Sequence, residues 1–171
     1  LFSLVSDLSP RRAPEESPGD EYDLNLVLDT GAWGQLEPLA DYLRERTDSV
    51  ISVDHHERGD EVASERIVQA GAASCTEVIV QIIDTVGVDL SYGGDENGRF
   101  SIAEAILLGL ATDTGWFRFD SCGSDSMRLA TRLFDAGADK SSLIRIVEES
   151  DRPQRIEMTA RALSSAHFAN D

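Results

Sequence analysis

Lysine is nearly missing from this sequence. Lys140 is the one lysine among 15 basic residues, which face 32 acidic ones and leave a formal net charge of −17 over 171 residues. Proteins hold duplex nucleic acid largely through Lys and Arg that displace counterions from phosphates, so an extended basic groove is excluded for this stretch. A small phosphorylated substrate is not excluded, because a bound divalent cation supplies positive charge locally. Cysteine is scarce as well. Cys75 and Cys122 are too few for a disulfide framework, and neither stands in a C-x-x-C, which points to a reduced, cytoplasmic setting. There is no unbroken apolar run of about 18 residues, the length a transmembrane helix needs, and no basic segment followed by an apolar one at the start, so no signal peptide is read. At 41% hydrophobic residues the chain can nevertheless build a real core.

The apolar residues that are present fall into an alternating order. Residues 1–5 (LFSLV) read as a short strand, and residues 9–23, with three prolines and many charges, as a surface loop. LNLVL (24–28) reads as a buried strand closed by Asp29-Thr30-Gly31. Leu36, Leu39, Ala40 and Leu43 recur at helical spacing up to about Arg46. Val50–Val53 is a second strand, ending at Asp54-His55-His56. Ser74-Cys75-Thr76-Glu77 fits a capping box that opens a helix to about Thr85. After a glycine-rich loop (87–99), Ile102–Leu110 is a nearly all-apolar helix that must be buried on most sides. Ser124 or Asp125 caps a further helix stopped by Gly137, and Asp151 before Pro153 opens the last. Strand, helix, strand, helix, then helices predicts an α/β fold: an open, mostly parallel sheet flanked by helices, with a helical C-terminal part.

Chemistry collects where the strands end. In an open parallel sheet, ligands gather outside the carboxyl ends of strands. Asp29 follows one strand, Asp54-His55-His56 the next, and Asp113 lies just past the buried helix, so these side chains are expected to share a crevice. An anion at a helix C-terminus meets unfavourable partial charge, so something positive should stand by Asp113. Aspartates and imidazoles in a polar crevice suit Mn²⁺, with Mg²⁺, Co²⁺ or Zn²⁺ as competitors.

VLDTG (27–31), VDHH (53–56), AASCTEVIVQII (72–83), ILLGLATDTGWFRF (106–119) and LFDAGAD (133–139) together resemble the DHH phosphoesterases, closest to the nanoRNase/phosphoadenosine-phosphate phosphatase branch. The resemblance runs from about residue 22 to the end. It implies a hydrolase that uses two metal ions, usually Mn²⁺, to drive in-line attack of water on phosphorus. Carried onto the matching positions, Asp29 bridges both metals and His55 and Asp113 complete the shell of one. His56 contacts the substrate phosphate, and Asp54 orients an imidazole. The implied substrates are short single-stranded oligoribonucleotides, attacked from an end, or the 3′-phosphate of adenosine 3′,5′-bisphosphate. Inorganic pyrophosphate, cyclic dinucleotides and RecJ-type exonuclease substrates are the alternatives within the family. A catalytically degenerate regulatory module is the alternative outside it. Duplex nucleic acid and membranes are not expected partners, and the oligomeric state stays open, a homodimer among the options.

The family's first motif, His-x-x-Pro-Asp-x-Asp, is absent, and no histidine precedes His55. The glycine- and histidine-rich substrate-binding motif of the family's second domain is absent too. Residues 1–171 therefore read as an internal part of a DHH domain, expected to fold marginally, to hold metal loosely and to be inactive in isolation. The helix Ile102–Leu110 is expected to expose apolar surface for want of cover. His167 reads as a packed or helix-end histidine and Arg118 as a surface or carboxylate-paired arginine. Trp33, Trp116, Phe117 and Phe119 read mostly as core, and both cysteines as inert.

Overall fold

A computed structural model describes residues 22–37, 39–94, 100–149 and 153–166. The expected strand at residues 1–5, most of the loop 9–23, the tip of the glycine-rich loop, the cap at Asp151 and His167 lie outside the described residues. Three strands form one sheet of order β1 (Asn25–Leu28), β2 (Val50–Asp54), β3 (Glu65–Val68). All pairings are parallel, with Leu28 opposite Val53 and Val53 opposite Ile67. The α/β architecture matches the expectation. β3 escapes a reading by pattern because Glu-Arg-Ile-Val has neither an apolar run nor clean alternation, and all four residues are exposed.

Successive residues of a strand point to opposite faces, and the sheet is covered on both. On one face Val27 and Val50 pack with Tyr42 and Leu43 of α1 (Ala40–Arg44) and with Val62. On the other, Val53 packs with Cys75 and Val78 of α2 (Cys75–Val86), joined by Leu28, Ile51, Ile79 and Ile82. β1 is less buried than its sequence suggests: Val27 is covered, but Leu26 is 58% exposed, because among the described residues β1 is an edge strand. Of the helix expected from Leu36 to about Arg46 only the short α1 forms, preceded by a 3₁₀ turn, Trp33–Gln35.

Helix α3 (Ile102–Asp113) buries Ile102, Ala103, Ile106, Leu107, Leu110 and Ala111. Contrary to expectation it exposes no large apolar side chain; exposed ones lie on other elements, among them Tyr22, Leu24 and Leu26 around β1. α3 packs on α2 and on α4 (Ser124–Asp135). The capping box belongs to α3: Ser101 Oγ accepts from Glu104 N–H and the Glu104 carboxylate accepts from Ser101 N–H at 2.8 Å. At α2 only half of the expected box forms. Ser74 Oγ accepts from Thr76 N–H, but the Glu77 carboxylate reaches past Ser74 to Ala73 N–H at 2.9 Å. α4 is capped by neither Ser124 nor Asp125; Gly123 holds the N-cap position without a side-chain bond. Gly137, at φ +97°, ends the helix as expected, with Ala138 N–H bonding Leu133 O.

Residues 139–171 make up a second unit, in which α5 (Lys140–Ile144), a single π turn (Arg145–Glu149) and α6 (Pro153–Ser164) follow one another. Asp139 caps α5 by accepting from Ser141 N–H at 2.9 Å. Ile156, Met158 and Leu163 of α6 are exposed. Among the described residues no helix is long and apolar enough to cross a membrane.

The contact between α2 and α3 is closest at Gly109, where a Cβ would stand 2.4 Å from Thr76 Cγ2. Overpacking of this kind costs about 1–3 kcal/mol. Gly109→Ala should lower the melting temperature by several degrees, and adding Thr76→Ser, which removes the offending methyl and keeps the hydroxyl, should restore most of it. Thermal unfolding of wild type and the two variants checks this; an unchanged Gly109→Ala, or no recovery in the double variant, would contradict the packing described.

Candidate metal centre

Asp54, the last residue of β2, organises the tripeptide that follows it. Its side chain is fully buried. Oδ1 accepts from His55 N–H at 2.7 Å, from His56 N–H at 3.1 Å and from His56 Nδ1 at 2.7 Å. Burial alone would raise the Asp54 carboxyl, but the bonds from His56 and His55 outweigh it and hold the group below the usual carboxylate range. His56 is shifted the other way, chiefly by its bond to Asp54. The His56 ring is 58% exposed, and with Nδ1 committed to Asp54 its other nitrogen is left for solvent or a ligand.

His55 is oriented differently. Its Nδ1 lies 3.1 Å from Ala72 O. A carbonyl can only accept, so Nδ1 carries a proton, and the form of the ring that can ligate a metal is the one with its lone pair on Nε2. That Nε2 faces Asp29 Oδ1 at 3.4 Å and Asp113 Oδ2 at 3.9 Å. In that form the imidazole lone pair and the two carboxylate oxygens are all acceptors, a set that a cation between them would satisfy.

Each partner is delivered by a different element. Asp29 leaves β1 with φ +61°, a left-handed conformation that Asp tolerates better than most residues. Its N–H still bonds Val53 O at 3.0 Å, so the ladder fixes the backbone while the side chain turns into the crevice. Burial and the neighbouring Asp113 raise the Asp29 carboxyl, against the lowering effect of His55 and His56. Asp113 is the last residue of α3 rather than just past its end, and His55 is the group beside it. The chain then makes a tight exit: Gly115, Trp116 and Phe117 all have positive φ, at 56°, 58° and 64°. Such a conformation costs roughly 1–2 kcal/mol per non-glycine residue. The turn is held by buried Thr114, whose Oγ1 bonds Leu110 O at 2.6 Å and accepts from Phe117 N–H at 3.1 Å. Arg118 folds back to Gly115 O through Nε, and Phe119, expected in the core, is 56% exposed.

One ligand atom each from Asp29, Asp54, His55 and His56 lies within 4.8 Å of all the others. Asp54 Oδ2 is buried without a hydrogen-bond partner among the described residues, an expensive state for a carboxylate oxygen unless something positive approaches it. Carboxylate oxygens with imidazole nitrogens are the donor set that suits Mn²⁺ and its neighbours, so the residues present fit a divalent cation. Two features here were not read from the sequence. Gly31 touches Gly59 backbone to backbone, with only 3.0 Å between a Cβ placed at Gly59 and Gly31 Cα, and thereby closes the loops after β1 and β2 over Asp54. The Ala72 carbonyl sets the His55 tautomer, and a main-chain acceptor 17 residues away in sequence leaves no side-chain signature.

No family model matches this sequence. Over 124 residues it is 27% identical to the bifunctional oligoribonuclease and PAP phosphatase NrnA of Thermus thermophilus, covering 70% of this chain and 34% of that protein. Over another 124-residue alignment it is 32% identical to the A-adding tRNA nucleotidyltransferase of Aquifex aeolicus, covering 71% of this chain and 14% of that one. The chain thus spans about a third of the length of the first relative and 14% of the second. Its fold resembles that of an exopolyphosphatase-related protein from Bacteroides fragilis, with a TM-score of 0.71 at 23% identity over 87% of this chain and 42% of that one.

Cys75 adjoins the centre from behind, its thiol donating to Val53 O at 3.2 Å. Burial, reinforced by Asp29, pushes it up to about 12. A raised thiol stays protonated below that value, and the thiolate is the reactive form. Iodoacetamide at pH 8 should therefore label Cys122 in the native protein and Cys75 only after denaturation. Mass spectrometry of the labelled chain checks it, and native labelling of Cys75 would contradict the burial.

Proposed function

We propose that this chain is the DHH domain of a divalent-metal phosphoesterase that hydrolyses short oligoribonucleotides, the 3′-phosphate of adenosine 3′,5′-bisphosphate, or both. The observation that carries the reading is the convergence of His55 Nε2 with Asp29 and Asp113 next to a buried, unpartnered oxygen of Asp54. The sequence similarity to a bifunctional oligoribonuclease and PAP phosphatase supports it.

In this reading Asp29, His55 and Asp113 would hold one Mn²⁺, with Mg²⁺ or Co²⁺ as substitutes, and Asp29 would also serve a second ion. No His-x-x-Pro-Asp-x-Asp occurs among these 171 residues, so of the ligands the resemblance implies for a second ion only Asp29 is present here. When bound, the ions supply Lewis acidity toward the phosphoryl group and the attacking water. His56 presents its other ring nitrogen to the phosphate, and the bond to Asp54 raises the basicity of the imidazole and fixes its direction. Asp54 also ties both histidine amides, so one carboxylate sets the direction of both rings. The acidic surface of the chain ceases to oppose an anionic substrate once cations stand at the mouth of the crevice. A cytoplasmic setting, in keeping with the free Cys75 and Cys122, belongs to the same proposal.

The test is a substrate panel assayed with Mn²⁺ on the full-length protein: a dinucleotide, adenosine 3′,5′-bisphosphate, pyrophosphate, a cyclic dinucleotide and bis-p-nitrophenyl phosphate. The first two should be turned over fastest, and chelation should abolish activity. Asp29→Ala should lower kcat by several orders of magnitude, because a shared carboxylate holds both ions. Near-normal turnover in that variant would remove Asp29 from the mechanism, and faster hydrolysis of pyrophosphate or the cyclic dinucleotide would move the substrate assignment.

A further inference from the structure

We infer that Glu77 is a positioning residue for the metal centre, acting through the loop that holds His55. The inference rests on the metal-site reading above and extends it to a residue outside the crevice. Three hydrogen bonds carry it. Buried Ser126, on α4, donates through Oγ to Glu77 Oε1. Glu77 Oε2 accepts from Ala73 N–H at 2.9 Å. Ala72 O, one residue back, takes the proton of His55 Nδ1 at 3.1 Å. The series runs from α4 across α2 to the imidazole, and each member has one geometry open to it.

The departure of Glu77 from an ordinary capping box explains its placement. Glutamate three residues after an N-cap serine normally bonds the N-cap amide. Here it reaches one residue further, to Ala73, and thereby stiffens the peptide next to the one whose carbonyl faces His55. Ala73 is buried, and removing the carboxylate takes away the one fixed partner that its N–H has among the described residues. The loop must then shift, and the Ala72 carbonyl shifts with it. A displaced carbonyl frees His55 to take the other tautomer, with its proton on Nε2, the atom that faces Asp29 and Asp113. That tautomer cannot ligate a metal through Nε2. Loss of partners that fix a ligating histidine typically costs 10–100-fold in metal affinity.

Glutamine at position 77 is the informative replacement. Its amide oxygen can accept from Ala73 N–H and its NH₂ can donate to Ser126 Oγ, so both bonds survive without the charge. Long-range ¹H–¹⁵N spectra of the metal-free chain at pH 8 report the tautomer directly, and with only three histidines His55→Ala assigns the signals. Wild type should show the Nδ1–H form at His55. Glu77→Ala should show a mixture of tautomers and bind Mn²⁺ 10–100-fold more weakly by electron paramagnetic resonance titration. Glu77→Gln should keep the wild-type tautomer and lie within about threefold of wild-type affinity, well short of that loss. A wild-type tautomer with wild-type Mn²⁺ affinity in Glu77→Ala would overturn the proposal, as would a Glu77→Gln as damaged as Glu77→Ala. Should Glu77→Ala fail to fold, Ser126→Ala decides: a partial tautomer shift supports the proposal and an unchanged spectrum overturns it. If wild type binds no Mn²⁺, the metal reading fails by itself, and the tautomer comparison still decides the role of Glu77.

Discussion

The Asp54 carboxylate has no exposed surface and gathers three N–H groups on one oxygen, and the crevice takes its form from that arrangement. Burying a charged group is costly unless hydrogen bonds or opposite charge compensate it. Here the compensation comes from the two residues that follow in the chain. The backbone after β2 must therefore wrap around Asp54, and wrapping sends the two imidazoles in different directions: His56 stays bonded to Asp54, and His55 swings toward Ala72 and the Asp29–Asp113 pair. The other oxygen of Asp54 is left buried and unpartnered. A site built this way favours positive charge twice over, once at that oxygen and once where His55 Nε2 meets two carboxylates.

The fold serves this arrangement by bringing three separate chain segments to one end of the sheet. Parallel pairing of β1 with β2, Leu28 beside Val53, puts Asp29 and Asp54 at the same edge. α3 adds Asp113 from its last turn, and its position depends on the close approach of Gly109 to Thr76. Local strain concentrates where the chain leaves these carboxylates, at Asp29 and at Gly115-Trp116-Phe117. Strained backbone persists only when its surroundings over-determine it. Buried Thr114 and the ladder bond of Asp29 to Val53 do that here.

Much of this was legible in the sequence, and the reason lies in period and position. β2, α2, α3 and α4 announce themselves because their apolar residues recur at strand or helix spacing. The candidate site residues could be named because each ends a buried element. β3 was not legible, since four exposed residues flanked by polar loop carry no pattern. Nor was the shortening of the Leu36–Arg46 helix to Ala40–Arg44, between 3₁₀ turns at Trp33–Gln35 and Thr47–Ser49 that apolar spacing alone does not announce. The capping box at Ser74–Glu77 misled for an instructive reason: the residue types were right, but a tertiary partner, Ser126, together with the Ala73 amide, claims the glutamate. Contacts made by main-chain atoms, such as Ala72 O to His55 or Gly31 against Gly59, stay invisible until the fold places them.

The central claim is that Asp29, His55 and Asp113 form one side of a divalent-cation site. Crystals soaked with Mn²⁺ and measured at a wavelength where manganese scatters anomalously test it most directly. An anomalous peak within about 2.0–2.4 Å of His55 Nε2 and of a carboxylate oxygen from both Asp29 and Asp113 is the expected result, those being ordinary lengths for such bonds. A peak elsewhere, or none at millimolar Mn²⁺ with the three side chains still facing one another, would contradict it.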